Sequence, residues 1–331
     1  MRFLSGLLLL LPALAVSLPA DAPAADVSQW QEFVQNHKKE YGSAEEESKR
    51  FQIFRQNLET IAQLNEKHQG VTTFGINEFA DLSNVEFAEK FQGGEHQPAP
   101  VLSEASPLTE SHDNAPPSRN WSSILIVKNQ AHCNSCYIFA AVGAIEAHKT
   151  INSSRLQLLS EQEVLDCGGP AFVCEHGGSR GRVFEFAKTH GMYTVKHYAH
   201  KYNIAHPRKE SCLGGGKHPD FKIQGYKNIV HNEEEMKRVV GRIGPVATGL
   251  HSSSASREMQ FYNGGVLVSH SCRNDTTDHA VLVAGYGSEN GVDYWLIKNS
   301  YGDHWKNGGY FKIQRGTNMC GIGNLANYPI L

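Results

Sequence analysis

Neither sign of charge gathers into a run in this 331-residue chain, whose 31 lysines and arginines nearly balance 34 aspartates and glutamates. A stripe that could track phosphates is missing, which argues against nucleic acid as a partner. There is no internal repeat and no heptad pattern, so solenoids and coiled coils drop out. Long apolar runs are scarce as well. The one at the start, Leu7 to Leu11, is far shorter than the ~20 residues a membrane span needs, and Pro12 interrupts it. With Arg2 before that run and Ala13, Ala15 and Ser17 after it, residues 1–17 read as a secretory signal. Cys133 and Cys136 have no second Cys-x-x-Cys pair to complete a zinc site, and the histidines between His190 and His218 stand at no metal-ligand spacing. No metal and no cofactor is expected.

What is present fits the secretory route. Seven cysteines in an oxidising compartment are first of all disulfide candidates, and an odd number leaves one thiol outside the bridges. Sequons at Asn120, Asn152 and Asn274 add weak support, because Asn-x-Ser/Thr also arises by chance.

The length suggests two structural units. In the first, Ser28 with Gln31 and the bulky positions Trp30, Phe33, Val34, His37 and Tyr41 predict a helix stopped by Gly42. Ser43 with Glu46 caps a longer one whose stripe is Phe51, Phe54, Leu58 and Ile61, with Glu46 and Arg50 four apart as an ion pair. Gly75, Asn77, Phe79 and Asp81 alternate as in an extended strand, and Ser83 with Glu86 caps a last short helix ending near Phe91. Residues 92–117 then carry five prolines and no apolar periodicity, the composition of an exposed connector that is readily cut. Beyond it the chain reads as mostly helical, and from about Gly225 as mostly β, with strands at Pro245 to Leu250, Ala280 to Tyr286, Tyr294 to Lys298 and Tyr310 to Ile313.

The chemistry concentrates where Gln130-Ala131-His132-Cys133-Asn134-Ser135-Cys136-Tyr137 runs into the apolar helix that begins at Ile138. A thiol in the first turn of a helix meets the positive end of the helix dipole, which favours thiolate and makes a nucleophile. A redox or metal pair of Cys133 and Cys136 is the competing reading of that spacing. His279, at the start of a strand, and Asn299, at the end of the next, would each mean little alone.

Together, Gln130, Cys133, Ser135, Cys136, His279 and Asn299 resemble the active-site positions of the papain and cathepsin family of cysteine proteases. Glu46, Arg50, Phe54, Asn57, Ile61 and Asn65, followed by Gly75, Asn77, Phe79 and Asp81, are similar to that family's inhibitory prodomain. The resemblance implies an α+β, papain-like fold of two lobes, a helical left one and a β-barrel-like right one, preceded by an α-helical prodomain. It divides the chain into an inhibitory propeptide over 18–114, helical over 26–91 with a linker over 92–114, and a mature peptidase over 115–331. Cys136 is then the nucleophile, His279 its base, Asn299 the residue that orients the imidazole, and Gln130 a donor of the oxyanion hole. Bridges are implied for Cys133 with Cys174, Cys167 with Cys212, and Cys272 with Cys320. Substrate binding is implied for Gly177, Gly178, Gly249, Asp278, Ala280, Tyr301, Trp305 and Leu325. Leu325 lies at the base of the main specificity pocket, which implies a preference for a bulky apolar side chain, with Arg180 at the rim.

The chain departs from the family at several points. Ala131 and Asn134 stand where glycine is usual, Tyr137 and Tyr301 replace tryptophans, and Lys306 follows Trp305 in place of glycine. No inserted histidine loop and no prodomain cysteine point to an exopeptidase, so an endopeptidase made as a zymogen is expected. Its partners would be peptide and protein substrates, its own prodomain as intramolecular inhibitor, and cystatin-like inhibitors, on a monomer in the lysosome or outside the cell. Acidification is expected to loosen the prodomain by protonating carboxylates such as Glu45 to Glu47 and Asp81. The alternative is a weakly active or inactive homologue that acts by binding or inhibition.

Overall fold

The computed structural model describes residues 22–92, 115–175, 177–213 and 218–331. The expected signal over 1–17 and nearly all of the expected connector over 92–114 lie outside these residues.

The N-terminal unit consists of α1 (Ala24–Asn36), α2 (Ala44–His68), β1 (Thr72–Phe74) and α3 (Asn84–Phe91). Its caps follow from local chemistry. Ser43 accepts from the Glu46 amide at the head of α2, and at α3 Ser83 and Glu86 bond each other's backbone amides in a full capping box. The first helix begins at Ala24, after Pro23, and ends at Asn36, so Ser28 lies inside it and Tyr41 beyond it. The apolar stripes meet in a cluster of Trp30, Phe33, Phe51, Phe54 and Ala80, with ring centroids 5.0–5.6 Å apart.

The alternation from Gly75 to Asp81 is not a strand. Only Thr72–Phe74 is extended, and the residues after it form a turn held by side-chain amides. Asn57 Nδ2 donates to the carbonyls of Ala80 and Leu82, Asn65 closes on both backbone groups of Phe74, and Asn77 Nδ2 donates to Gln260 O across the unit boundary. Asp81 accepts from Lys39 Nζ at 2.9 Å and Tyr41 Oη at 3.0 Å.

Arg50 joins this turn to α2 and α3, bonding Glu46 at 2.6 Å, Asp81 O at 3.1 Å and Glu86 at 2.9 Å. Burial alone would raise the Glu86 carboxyl, but the bonds from Arg50 and Ser83 outweigh it and hold the group at about 2. A carboxyl depressed in the folded state stabilises above its unfolded value, near 4.5, and that stabilisation is lost as pH falls toward 2. Glu86→Gln in the full chain should therefore lower the prodomain's melting temperature at pH 6 and flatten its fall between pH 4.5 and 2. Parallel melting curves for the two proteins across that window would remove Glu86 from the acid response.

The second unit joins a helical layer to a sheet. The layer contains α4 (Cys136–Ser153), α5 (Glu161–Cys167) and α6 (Arg180–Thr189); α7 (Glu233–Arg242) and α8 (Ser256–Phe261) accompany the strands. These are β2 (Arg119–Asn120), β3 (Gly225–Val230), β4 (Val246–Leu250), β5 (Tyr262–Leu267), β6 (His279–Glu289), β7 (Val292–Lys298), β8 (Tyr310–Gln314) and β9 (Leu325–Ile330). The strand order is β1-β5-β8-β7-β6-β4-β9-β3, with β2 pairing β6. The helix α4 is apolar nearly all round, as a helix buried between layers must be, and it packs on β6 and α6. Three disulfides join Cys133 to Cys174, Cys167 to Cys212, and Cys272 to Cys320.

The first unit contributes β1 to this sheet, antiparallel to β5 with Thr72 opposite Gly265. The approach is close: a Cβ on Gly265, whose φ is +76°, would lie 2.2 Å from Val71 O. A glycine is needed there for the strand to dock.

Candidate active site

The loop 130–135 is shaped by its own backbone. The Ala131 amide donates to Asn129 Oδ1 at 2.8 Å, and Ala131 takes a φ of +52°, the left-handed region that disfavours a Cβ. Ala131→Gly should relieve this strain and raise stability by about 1 kcal/mol, as urea unfolding would measure; a loss of stability would contradict it. Downstream, the Cys133–Cys174 bridge, the bond from the Asn134 amide to Cys174 O at 2.9 Å and that from Asn134 Nδ2 to Glu175 O at 3.3 Å tie the loop to its neighbour. Asn134 thus puts its extra bulk into a crosslink. The bridge also takes Cys133 out of any pair with Cys136.

Cys136, fully buried, is the first residue of α4, and its Sγ lies 3.3 Å from the amide nitrogen of Ala280. Ala280 follows His279, so the start of β6 brings the two sequence-distant residues together. One ring nitrogen of His279, Nε2, lies 2.9 Å from Asn299 Oδ1. The Ser300 amide also donates to Asn299 Oδ1, at 2.8 Å, which identifies this atom as the oxygen and makes His279 Nε2 the donor. That tautomer leaves Nδ1 basic, and Nδ1 is buried with no hydrogen-bond partner among the described residues. Burial lowers the His279 pKa, against the opposing effects of the Asn299 bond and the Asp278 charge.

Gln130 is equally buried. Ser300 Oγ donates to its Oε1 at 2.5 Å, which turns its Nε2 toward Cys133 O, 2.9 Å away, on the loop leading to Cys136. Tyr202, which no local signal in the sequence marks, donates to Gln130 O at 2.7 Å and shares a 2.9 Å bond with Ser135 Oγ. Ser300 was legible only as the neighbour of Asn299.

Tyr301 covers the histidine, with ring centroids 5.2 Å apart, and meets Trp305 edge-on at 5.4 Å. Its other side holds the N-terminal unit: Phe79, Phe87 and Phe91 lie 5.3–6.1 Å from its ring, and its hydroxyl donates to Phe91 O at 3.1 Å. A tryptophan has no hydroxyl to make this bond.

Of the other residues expected in the cleft, Ala280 is the one whose amide meets the sulfur, at 3.3 Å. Gly249 pairs with Ala280 between β4 and β6, and Thr248 Oγ1 donates to Leu325 O at 3.1 Å. A Cβ on Gly178 would lie 2.6 Å from Tyr137 Cζ, so glycine is required there by the tyrosine ring itself. The Asp278 carboxylate accepts from the Ser252 amide and hydroxyl at 2.6 and 2.7 Å and from the Ser253 amide at 3.0 Å, so it anchors the turn after β4. The side chains of Asn120, Asn152 and Asn274 are exposed.

A family model described as papain family cysteine protease matches residues 111–330, and one described as cathepsin propeptide inhibitor domain matches residues 30–87. An aleurain-like thiol protease of Arabidopsis thaliana is 34% identical over 313 residues, covering 92% of this chain and 84% of the relative. Cathepsin K of Mus musculus is 33% identical over 333 residues, covering 97% and 98%. The solved structure of digestive procathepsin L 3 from the larval midgut of Tenebrio molitor superposes with a TM-score of 0.82 at 32% identity, covering 93% of this chain and all of that one. A recombinant stem bromelain precursor gives 0.79 at 30% identity, covering 93% and 99%.

Proposed function

Because the chain belongs to the papain family of cysteine proteases and carries that family's inhibitory propeptide, we propose that it is a zymogen whose mature form is an endopeptidase working through Cys136 and His279. The observation that carries this reading is the meeting of Cys136 Sγ, at a helix start, with the beginning of β6, where Asn299 pins His279 in one tautomer.

In the mature enzyme the Cys136 thiolate attacks the peptide carbonyl carbon, and the carbonyl oxygen takes up the negative charge. Gln130 Nε2 and the Cys136 amide donate to that oxygen. The His279 imidazolium protonates the leaving amine as the C–N bond breaks, leaving a thioester on Cys136. A water that gives its proton to His279 then attacks the thioester, and the C–S bond breaks to release the carboxylic acid and restore the Cys136 thiolate beside the His279 imidazolium. Asn299 holds the ring throughout and is a positioning residue.

Gly249, Ala280 and Leu325 support a pocket with apolar walls. The signal-like start and the exposed sequons support passage through the secretory route to the lysosome or the exterior, and the balanced surface charge is compatible with a monomer open to cystatin-like inhibitors. Acid-treated protein should hydrolyse a fluorogenic peptide and be labelled by a thiol-directed epoxide, with Cys136→Ala as the control. Neither turnover nor labelling would overturn the enzyme reading in favour of a binding homologue.

A further inference from the structure

A cavity of about 880 Å³ lies beside Tyr301, at the boundary between propeptide and peptidase. The peptidase lines it with Asn129, Ala131, His132, Tyr301 and His304. These residues belong to two segments that are tied together within the peptidase itself. Asn129 bridges Tyr301, the Gln130 amide donates to Ser300 O at 2.8 Å, and the Gly302 amide donates to Lys128 O at 3.2 Å. The wall presents two exposed imidazoles and no carboxylate. Asp303, beyond the lining and exposed like His304, lies 3.7 Å from its Nε2, a contact that counts for little in water.

The propeptide brings the one carboxyl among the lining residues, Glu78, together with Lys38, Lys39 and Lys90. Lys39 is already held by Asp81 at 2.9 Å. Burial raises the Glu78 pKa, and its own backbone amide, Lys306, Lys39 and His304 oppose the rise. Lys306 and His304 belong to the peptidase, so the docked propeptide sets a carboxyl against peptidase cations. Lys306 also bears on His37 in the cavity lining, whose pKa is lowered by burial, then by Lys39 and Lys306, against Asp81. His279 protonates the amine that leaves and Tyr301 covers His279, so the leaving half of the substrate passes over Tyr301 and along this wall. In the zymogen Phe79, Phe87 and Phe91 pack on Tyr301 there. Their departure takes Glu78 and the propeptide lysines with them.

We propose that Lys306, His132 and His304 form a cationic subsite that selects an acidic side chain within the first three residues on the leaving side of the cleaved bond. An ammonium and protonated imidazoles offer donors only, which a carboxylate accepts. The substrate's acid then takes the role that Glu78 has in the zymogen. The inference rests on the peptidase reading above and deepens it, adding a preference after the cleaved bond to the apolar one before it.

The test uses the processed enzyme and internally quenched peptides that differ only in Glu, Gln or Lys at the first, second or third position after the cleaved bond. Epoxide titration fixes the active-site concentration. The assays run at pH 5.5, between the ordinary values of glutamate, about 4.3, and histidine, about 6.5. At one or more positions kcat/KM for Glu should exceed that for Gln by about threefold and that for Lys by about tenfold, the size expected of charges that water still reaches. Screening should bring the Glu to Gln ratio toward one in about 0.5 M sodium chloride. Lys306→Glu should lower the preference for Glu over Lys at least threefold, and the double variant His132→Gln, His304→Gln should reduce the Glu to Gln ratio. Each ratio is internal to one protein, so partial misfolding of a variant does not obscure it, and the wild-type ratios and their salt dependence decide the matter without any variant. Equal rates on Glu, Gln and Lys at all three positions, a Glu preference that salt leaves unchanged, or one that persists in full in Lys306→Glu, would overturn the inference and leave the peptidase reading standing. No turnover of any peptide and no epoxide labelling would overturn both.

Discussion

Replacing Cys136 by alanine is expected to abolish peptide hydrolysis, a loss on the order of 10⁶ in kcat, since every bond-making step passes through its sulfur. The fold should survive. The side chain is buried at the head of a helix that is mostly apolar, and alanine removes one atom without adding a polar group. The altered zymogen should also stay full length when acidified if processing is the enzyme's own work. Gel analysis after incubation at pH 4 distinguishes the cases: processing of pure Cys136→Ala protein would remove Cys136 from that role.

Substituting Gln130 is expected to have the next largest effect, because an oxyanion donor acts only once charge has developed on the substrate oxygen. Gln130→Ala should lower kcat by roughly 10²–10³-fold, about 2.7–4 kcal/mol, while KM changes little. Alanine also strands the Ser300 hydroxyl and Cys133 carbonyl that now bond the glutamine, so some stability is lost as well. Gln130→Glu separates the two effects. It keeps the volume and the bond from Ser300, loses the bond to Cys133 O as alanine does, and presents negative charge to the oxyanion, so it should be at least as slow as the alanine variant. Near-normal kcat in Gln130→Glu would exclude Gln130 from the oxyanion hole.

Both predictions concern residues that the sequence makes visible, and the reason is physical. Cys136 stands at a helix start, and helix starts are encoded within a few residues, as Ser43, Ser83 and Ser160 also demonstrate by accepting from the amide three positions on. His279 and Asn299 carry no such local signal and were legible only through their resemblance to a family and their order along the chain.

What the sequence hides is what distant segments decide. The turn after β1 alternates like a strand but is tied by the Gly75 amide to Phe261 O and by Asn77 to Gln260 O, the latter 183 residues away. Ser28 with Gln31 has the spacing of a capping box, yet it falls inside a helix that starts behind Pro23. Tyr202 supports the Gln130 loop from a histidine-rich stretch with no periodicity. Tyr301, expected only to shelter the histidine with less area than a tryptophan, also fastens the N-terminal unit through its hydroxyl.

The setting of His279 links inhibition to chemistry. In the zymogen the ring is wholly buried, and burial disfavours the imidazolium that a thiolate partner requires. Phe79, Phe87 and Phe91 pack on Tyr301, the ring that covers His279, so removal of the propeptide is expected to bring water to the pair and to favour its charged state.

A thiolate at Cys136, poised by the helix start and by His279, is revealed by the pH dependence of its alkylation in the processed enzyme. Iodoacetamide should modify Cys136 at a rate that stays high from pH 8 down to about pH 5, reporting a thiol far below the ordinary value near 8.5. The same thiol in the intact zymogen should react at least tenfold more slowly. A rate that falls away below a midpoint near pH 8.5 in the processed enzyme would show an ordinary thiol with no help from the helix start or His279.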